Sequence, residues 1–91
     1  MTTTVCKRVT YRGRVQGVGF RYTAHGLAHG FAVAGYVRNL PTGEVELVAE
    51  GRSEQVDAFL AAVGERMADN IVGSTVQSAP PTGAAGFQIR G

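Results

Sequence analysis

Gly13-Arg14-Val15-Gln16-Gly17-Val18-Gly19-Phe20-Arg21 joins a segment patterned as a strand to one patterned as a helix. Its three glycines alternate with small apolar residues, and it ends in an arginine. Glycine accepts positive φ and lets another group come close to the peptide. Successive N–H groups can then turn inward as a concave anion site. An arginine at the exit adds a fixed charge and a planar fork suited to phosphate or carboxylate. By itself the run reads equally as a glycine-rich turn or as an oxyanion cradle. It is neither the phosphate-binding loop ending in Lys-Ser/Thr nor the dinucleotide fingerprint, because the lysine is missing and the glycine spacing differs.

Working outward from this loop, residues 5–12 read as a strand, with Val9 and Tyr11 alternating against Arg8, Thr10 and Arg12. Residues 21–30 read as a helix, in which Gly26 costs about 1 kcal/mol against alanine. Residues 33–40 and 44–50 form two strands joined by the turn Pro41-Thr42-Gly43, hence a hairpin. In the later strand Val45, Leu47 and Ala49 face one way, and Glu44, Glu46 and Glu50 the other, where solvated-face roles are expected for the carboxylates. Ser53 is placed to cap a second helix, with Glu54 and Asp57 near its positive end. Val56, Phe59, Leu60, Val63 and Met67 make its apolar face. Residues 71–78 are a fourth strand, 79–86 a loop rich in Pro, Gly and Ala, and 87–90 a short last strand.

The order is β-α-β-β-α-β plus a short C-terminal strand. It predicts an α+β, ferredoxin-like split βαβ sandwich, with two helices on one face of an antiparallel sheet. Residues 1–91 are expected to form a single domain, with residues 1–4 a flexible lead. The first crossover makes strands one and two parallel, and the third strand lies between them. The glycine loop and Asn39 then sit at one sheet edge, two strand spacings or roughly 10 Å apart.

Residues 35–51 read Gly-Tyr-Val-Arg-Asn-Leu-Pro-Thr-Gly-Glu-Val-Glu-Leu-Val-Ala-Glu-Gly. Together with the loop they resemble the acylphosphatase family. That family carries Gly-x-Val-Gln-Gly-Val-x-Phe-Arg. It also carries Gly-aromatic-Val-x-Asn followed by three residues, Gly, x, Val, five residues and Gly. Both patterns match at every fixed position, and the closing Gly-Phe-Gln-Ile-Arg resembles the usual ending. The likeness runs from about Val5 to Arg90. In one departure, many relatives place a Gly-Leu pair just before the second strand. Here Gly30-Phe31-Ala32-Val33 puts the glycine earlier, with the Arg21-to-Asn39 spacing kept.

The resemblance implies hydrolysis of an acyl phosphate to a carboxylate and inorganic phosphate, without a metal or other cofactor. Arg21 would clamp the phosphate, with backbone N–H groups of Gln16, Gly17, Val18, Gly19 and Phe20 completing the cradle. Asn39 alone reads as a strand-end or turn asparagine. The resemblance makes it the residue that positions the attacking water. No general base stands in either motif. The leaving group is a good one, and phosphoryl transfer depends mostly on positioning and charge stabilisation.

Composition bounds the alternatives. Ninety-one residues with 44% hydrophobic content suit one small core. The single cysteine, Cys6, excludes an internal disulfide and reads as a strand residue. His25 and His29 stand at i and i+4, but Gly26 occupies the place of a metalloprotease glutamate and no third ligand suggests itself. Tyr22, Phe31 and Tyr36 are expected to pack. No apolar run is long enough to span a membrane. A cytoplasmic monomer acting on a small molecule, with no membrane or nucleic-acid partner, is expected. A net charge of +2, with basic residues scattered along the chain, is thin for a nucleic-acid binder. The main rival is a non-catalytic phosphate-binding module on the same fold.

Overall fold

The computed structural model describes residues 3–91. Its elements are β1 (Thr4–Gly13), α1 (Phe20–Ala28), β2 (Val33–Asn39), β3 (Val45–Arg52), α2 (Ser53–Arg66), β4 (Ile71–Ser78) and β5 (Phe87–Arg90). The five strands form one sheet in the order β4-β1-β3-β2-β5. The third strand lies between the first two, as the split crossover requires. β5 runs parallel to β2, so the sheet is mixed rather than wholly antiparallel. The 79–86 loop returns the chain to start β5 at the same end as β2, with Phe87 beside Gly35.

Strand alternation builds the core. Val9 and Tyr11 on β1, Val37 on β2, and Val45, Leu47 and Ala49 on β3 are buried beneath the helices. From α2, Val56, Phe59 and Val63 are fully buried, and Met67 at its C-cap nearly so. Phe59 is the hub, its ring centroid 5.8 Å from that of Phe31 and 5.2 Å from that of Phe87. Burying a side chain of this kind stabilises the fold by about 1.5–3 kcal/mol. α1 lies over β2 and β5, and α2 over β3 and β1.

Several local expectations are corrected. Ser53 is not an N-cap; it is the first residue of α2, and Arg52 takes the cap position without a side-chain bond. The Ser53 N–H donates to the Thr3 carbonyl at 2.7 Å, and its hydroxyl to Glu54 Oε2 at 3.1 Å. The lead is thus held at that point, and Thr4 already pairs with Arg52; residues 1 and 2 lie outside the described residues. β3 reaches Arg52, β2 stops at Asn39, and α1 spans Phe20–Ala28.

Glu46 is not on a solvated face: it is only 8% exposed. Arg38 Nε donates to its Oε1 at 2.8 Å, and the Tyr36 hydroxyl to the same oxygen at 3.0 Å. Burial pushes the Glu46 carboxyl up, but these hydrogen bonds and nearby arginine charges outweigh it and hold it below the ordinary carboxylate range. Tyr36 is half-buried on the open face of the sheet, with the Arg90 guanidinium 4.0 Å from its ring centroid. The 79–86 loop is tied down by Thr82 and Ala84, whose N–H groups donate to the Glu50 carboxylate.

Candidate active site

The loop between β1 and α1 is pinned at both ends. Val15 and Phe20 are each 1% exposed, and the Phe20 ring packs against Tyr11 at 4.9 Å between centroids. The Arg14 N–H donates to the Asn70 carbonyl at 2.9 Å. Between the anchors Gly17 and Gly19 take φ of 76° and 80°. This left-handed state is one that non-glycine residues with a Cβ adopt only at a cost. It lets the chain turn into α1 within a few residues.

The loop leaves donors free. Among the described residues, none of the backbone N–H groups of residues 16–22 pairs with a backbone carbonyl. Gly19 is the N-cap of α1, no side chain caps it, and the first turn holds no acidic residue. Unpaired N–H groups at a helix N-terminus carry partial positive charge and attract anions.

These groups border a cleft of about 260 Å³ lined by Val15, Gly17, Gly19, Phe20, Arg21, Tyr22 and Asn39. Arg21 reaches it from the first turn of α1, and its Nη1 donates to the Arg90 carbonyl at 3.3 Å. Asn39 is the last residue of β2 and pairs with Val45. It shares the parity of buried Val37, so alternation points its amide to the helix side, toward the start of α1. The lining includes one full positive charge, one neutral amide and no carboxylate. Clefts of about 340 Å³ lie between α2 and β4 and beside His25 and His29. Neither combines an arginine with a glycine loop, so size does not select the site.

Residues 7–89 match the acylphosphatase family profile. The acylphosphatase of a Synechococcus strain is 42% identical over 91 residues, covering 99% of this chain and 97% of the relative. The chain belongs to the acylphosphatase family. With the acylphosphatase of Acaryochloris marina the identity is 43% over 60 residues, and that match spans 64% of the relative's length. The crystal structure of acylphosphatase from Bacillus subtilis superposes with a TM-score of 0.83 at 31% identity, covering 97% of this chain and 99% of that one. Family and fold together make the chain an acyl phosphate hydrolase.

Set against this acylphosphatase fold, the residues singled out in the sequence divide. Gly17, Gly19, Phe20, Arg21 and Asn39 line one cleft. Val18 does not line it and is 37% exposed. The Gln16 side chain also lies outside the lining; its Nε2 donates to the carbonyls of Leu40 at 2.8 Å and Glu44 at 2.9 Å. Two lining residues were missed. Val15 is a hydrophobic anchor of the loop, and its valine in the motif was the available signal. Tyr22 was expected to pack, yet it is 76% exposed at the mouth of the cleft. Helix periodicity alone could have shown this, because Tyr22 falls between the buried residues Phe20 and Ala24. His25 and His29 stack edge to face, 4.9 Å apart, further along α1. Among the described residues no three His, Cys, Asp or Glu side chains gather as a metal site.

Proposed function

We propose that this cleft hydrolyses acyl phosphates with Arg21 as phosphate clamp and Asn39 as the residue that orients water. The supporting observation is that Arg21, Asn39 and the glycines Gly17 and Gly19 of the loop line a single cleft. The dianionic phosphate sits against the N–H groups of the loop and the first turn of α1. Arg21 adds charge-assisted hydrogen bonds to its oxygens. Preorganised donors of this kind gain most as charge redistributes in the transition state.

The Asn39 amide carries both an acceptor and two donors. Its oxygen accepts a hydrogen bond from the attacking water and so sets the direction of attack. The water oxygen attacks phosphorus, and the bond between phosphorus and the acyl oxygen breaks. The carboxylate departs with the electron pair, and the water proton passes to a phosphate oxygen of the substrate. No protein base is needed for this transfer, in keeping with a cleft lined by no carboxylate. Arginine and backbone donors supply the positive charge that a metal would otherwise bring.

The test is hydrolysis of an aryl acyl phosphate followed by absorbance, in excess chelator, with Asn39→Ala and Arg21→Gln alongside. Turnover that survives the chelator and collapses in both variants supports the reading. Wild-type turnover in both folded variants would sink the residue assignment. Loss of activity in chelator would sink metal independence.

A further inference from the structure

We propose that the side chain of Gln16 is a positioning residue for hydrolysis, latching the loop that holds phosphate to the turn that follows Asn39. The proposal rests on the reading of Asn39 as the water-orienting residue.

Both hydrogens of the Gln16 amide nitrogen are used, one on the Leu40 carbonyl at 2.8 Å and one on the Glu44 carbonyl at 2.9 Å. Both partners are acceptors only, so the NH₂ end of the amide must face them. The two carbonyls bracket the β2–β3 turn, which begins directly after Asn39. The turn is a closed unit: the Leu40 N–H donates to Glu44 O at 2.8 Å, and the Gly43 N–H to Leu40 O at 3.1 Å. Holding these two carbonyls therefore holds the whole turn.

The sheet gives the latch its purpose. β1, which feeds the loop, does not pair with β2, which carries Asn39; β3 stands between them. The two walls of the cleft come from strands with no direct ladder, and Gln16 bridges them at their ends. Its neighbour Val15 is buried, so the latch starts from a fixed point. In-line attack requires the water to sit within a narrow range of distance and angle from phosphorus. A misplacement of about 1 Å from a remote change can cost about 10²-fold.

Gln16→Met keeps the length and bulk of the side chain and removes both donors. It is expected to lower kcat by about 10–100-fold. The inhibition constant of inorganic phosphate should stay at the wild-type value, because the N–H cradle and Arg21 are carried on the far side of the latch. In an Asn39→Ala background the same substitution should have little further effect, since there is no oriented water left to misplace. Gln16→Glu puts a carboxylate against two carbonyls. It should be slower than Gln16→Met at neutral pH and recover as acid protonates it and restores one donor.

Wild-type kcat in folded Gln16→Met would overturn the latch. So would a fully additive loss in the Asn39→Ala background, or phosphate inhibition that weakens in step with kcat. Full turnover by Asn39→Ala alone would overturn the Asn39 reading and the latch with it.

Discussion

The two walls of the cleft are built on opposite plans. The loop wall, residues 13–21, presents mainly backbone. Apart from Arg21, its side chains either anchor the core, as Val15 and Phe20 do, or point elsewhere, as Val18 does. The hairpin wall presents one side chain, Asn39, at the end of a regular strand. A backbone wall suits a phosphate, whose three oxygens need several donors at once. A single amide on a rigid strand suits one water, which needs a direction rather than a field. Tolerance to substitution should therefore be uneven. The loop should depend on glycine conformation and on Arg21, and the hairpin on one amide.

The sharpest break of this contrast is Asn39→Ala. It should lower kcat by about 10²–10³-fold, as for loss of one preorganised polar contact, while the inhibition constant of phosphate stays in place. Arg21→Gln should act on both quantities, because it removes charge-assisted bonds worth about 1.5–3 kcal/mol, or about 10–100-fold in phosphate affinity. If the two variants showed the same kcat and inhibition profile, the division of labour between the walls would be wrong.

The floor of the loop wall is tested by alkali. Burial pushes the Tyr11 hydroxyl up to about 12. A pKa raised in the folded state means that stability is intact below the unfolded value near 10 and is lost as pH rises toward the folded value. Two pKa units correspond to about 2–3 kcal/mol. Denaturant titrations from pH 9 to 12 should show this loss in the wild type and a shallower one in Tyr11→Phe.

Smaller effects sharpen the loop's side of the comparison. At Gly19 an added Cβ meets nothing within 4 Å, so Gly19→Ala isolates the conformational cost of φ +80°. That cost is about 1–2 kcal/mol, read as a lower Tm in a thermal melt, accompanied by weaker phosphate inhibition as the cradle shifts. Val18→Ala should change stability by less than about 0.5 kcal/mol and leave kcat alone, as expected for an exposed side chain without partners. A large loss at Val18 would mean that the loop uses more than its backbone.

The chain by itself determined the order of elements, because the periodicities are strong. Val45, Leu47 and Ala49 alternate, and Val56, Phe59 and Val63 recur at helical spacing; all six are fully buried. It also determined the family, because two motifs of fixed spacing name Arg21 and Asn39. Only the tertiary structure decided what depends on neighbours distant in sequence. Glu46 looked like a solvated strand carboxylate, and it is buried because Arg38 and Tyr36 on the adjacent strand close over it. Ser53 looked like a cap, and it enters the helix because Thr3 takes its N–H. The direction of β5 follows from where the 79–86 loop delivers the chain, which no local pattern encodes. Gln16 is the clearest case. Its place in the motif suggested only a backbone N–H for phosphate and said nothing of its side chain, whose amide reaches across 24 and 28 residues to a turn that only the folded sheet brings within 3 Å. Periodicity reports the burial of a residue's own segment, whereas hydrogen-bond partners across the sheet are fixed only when the strands take their order.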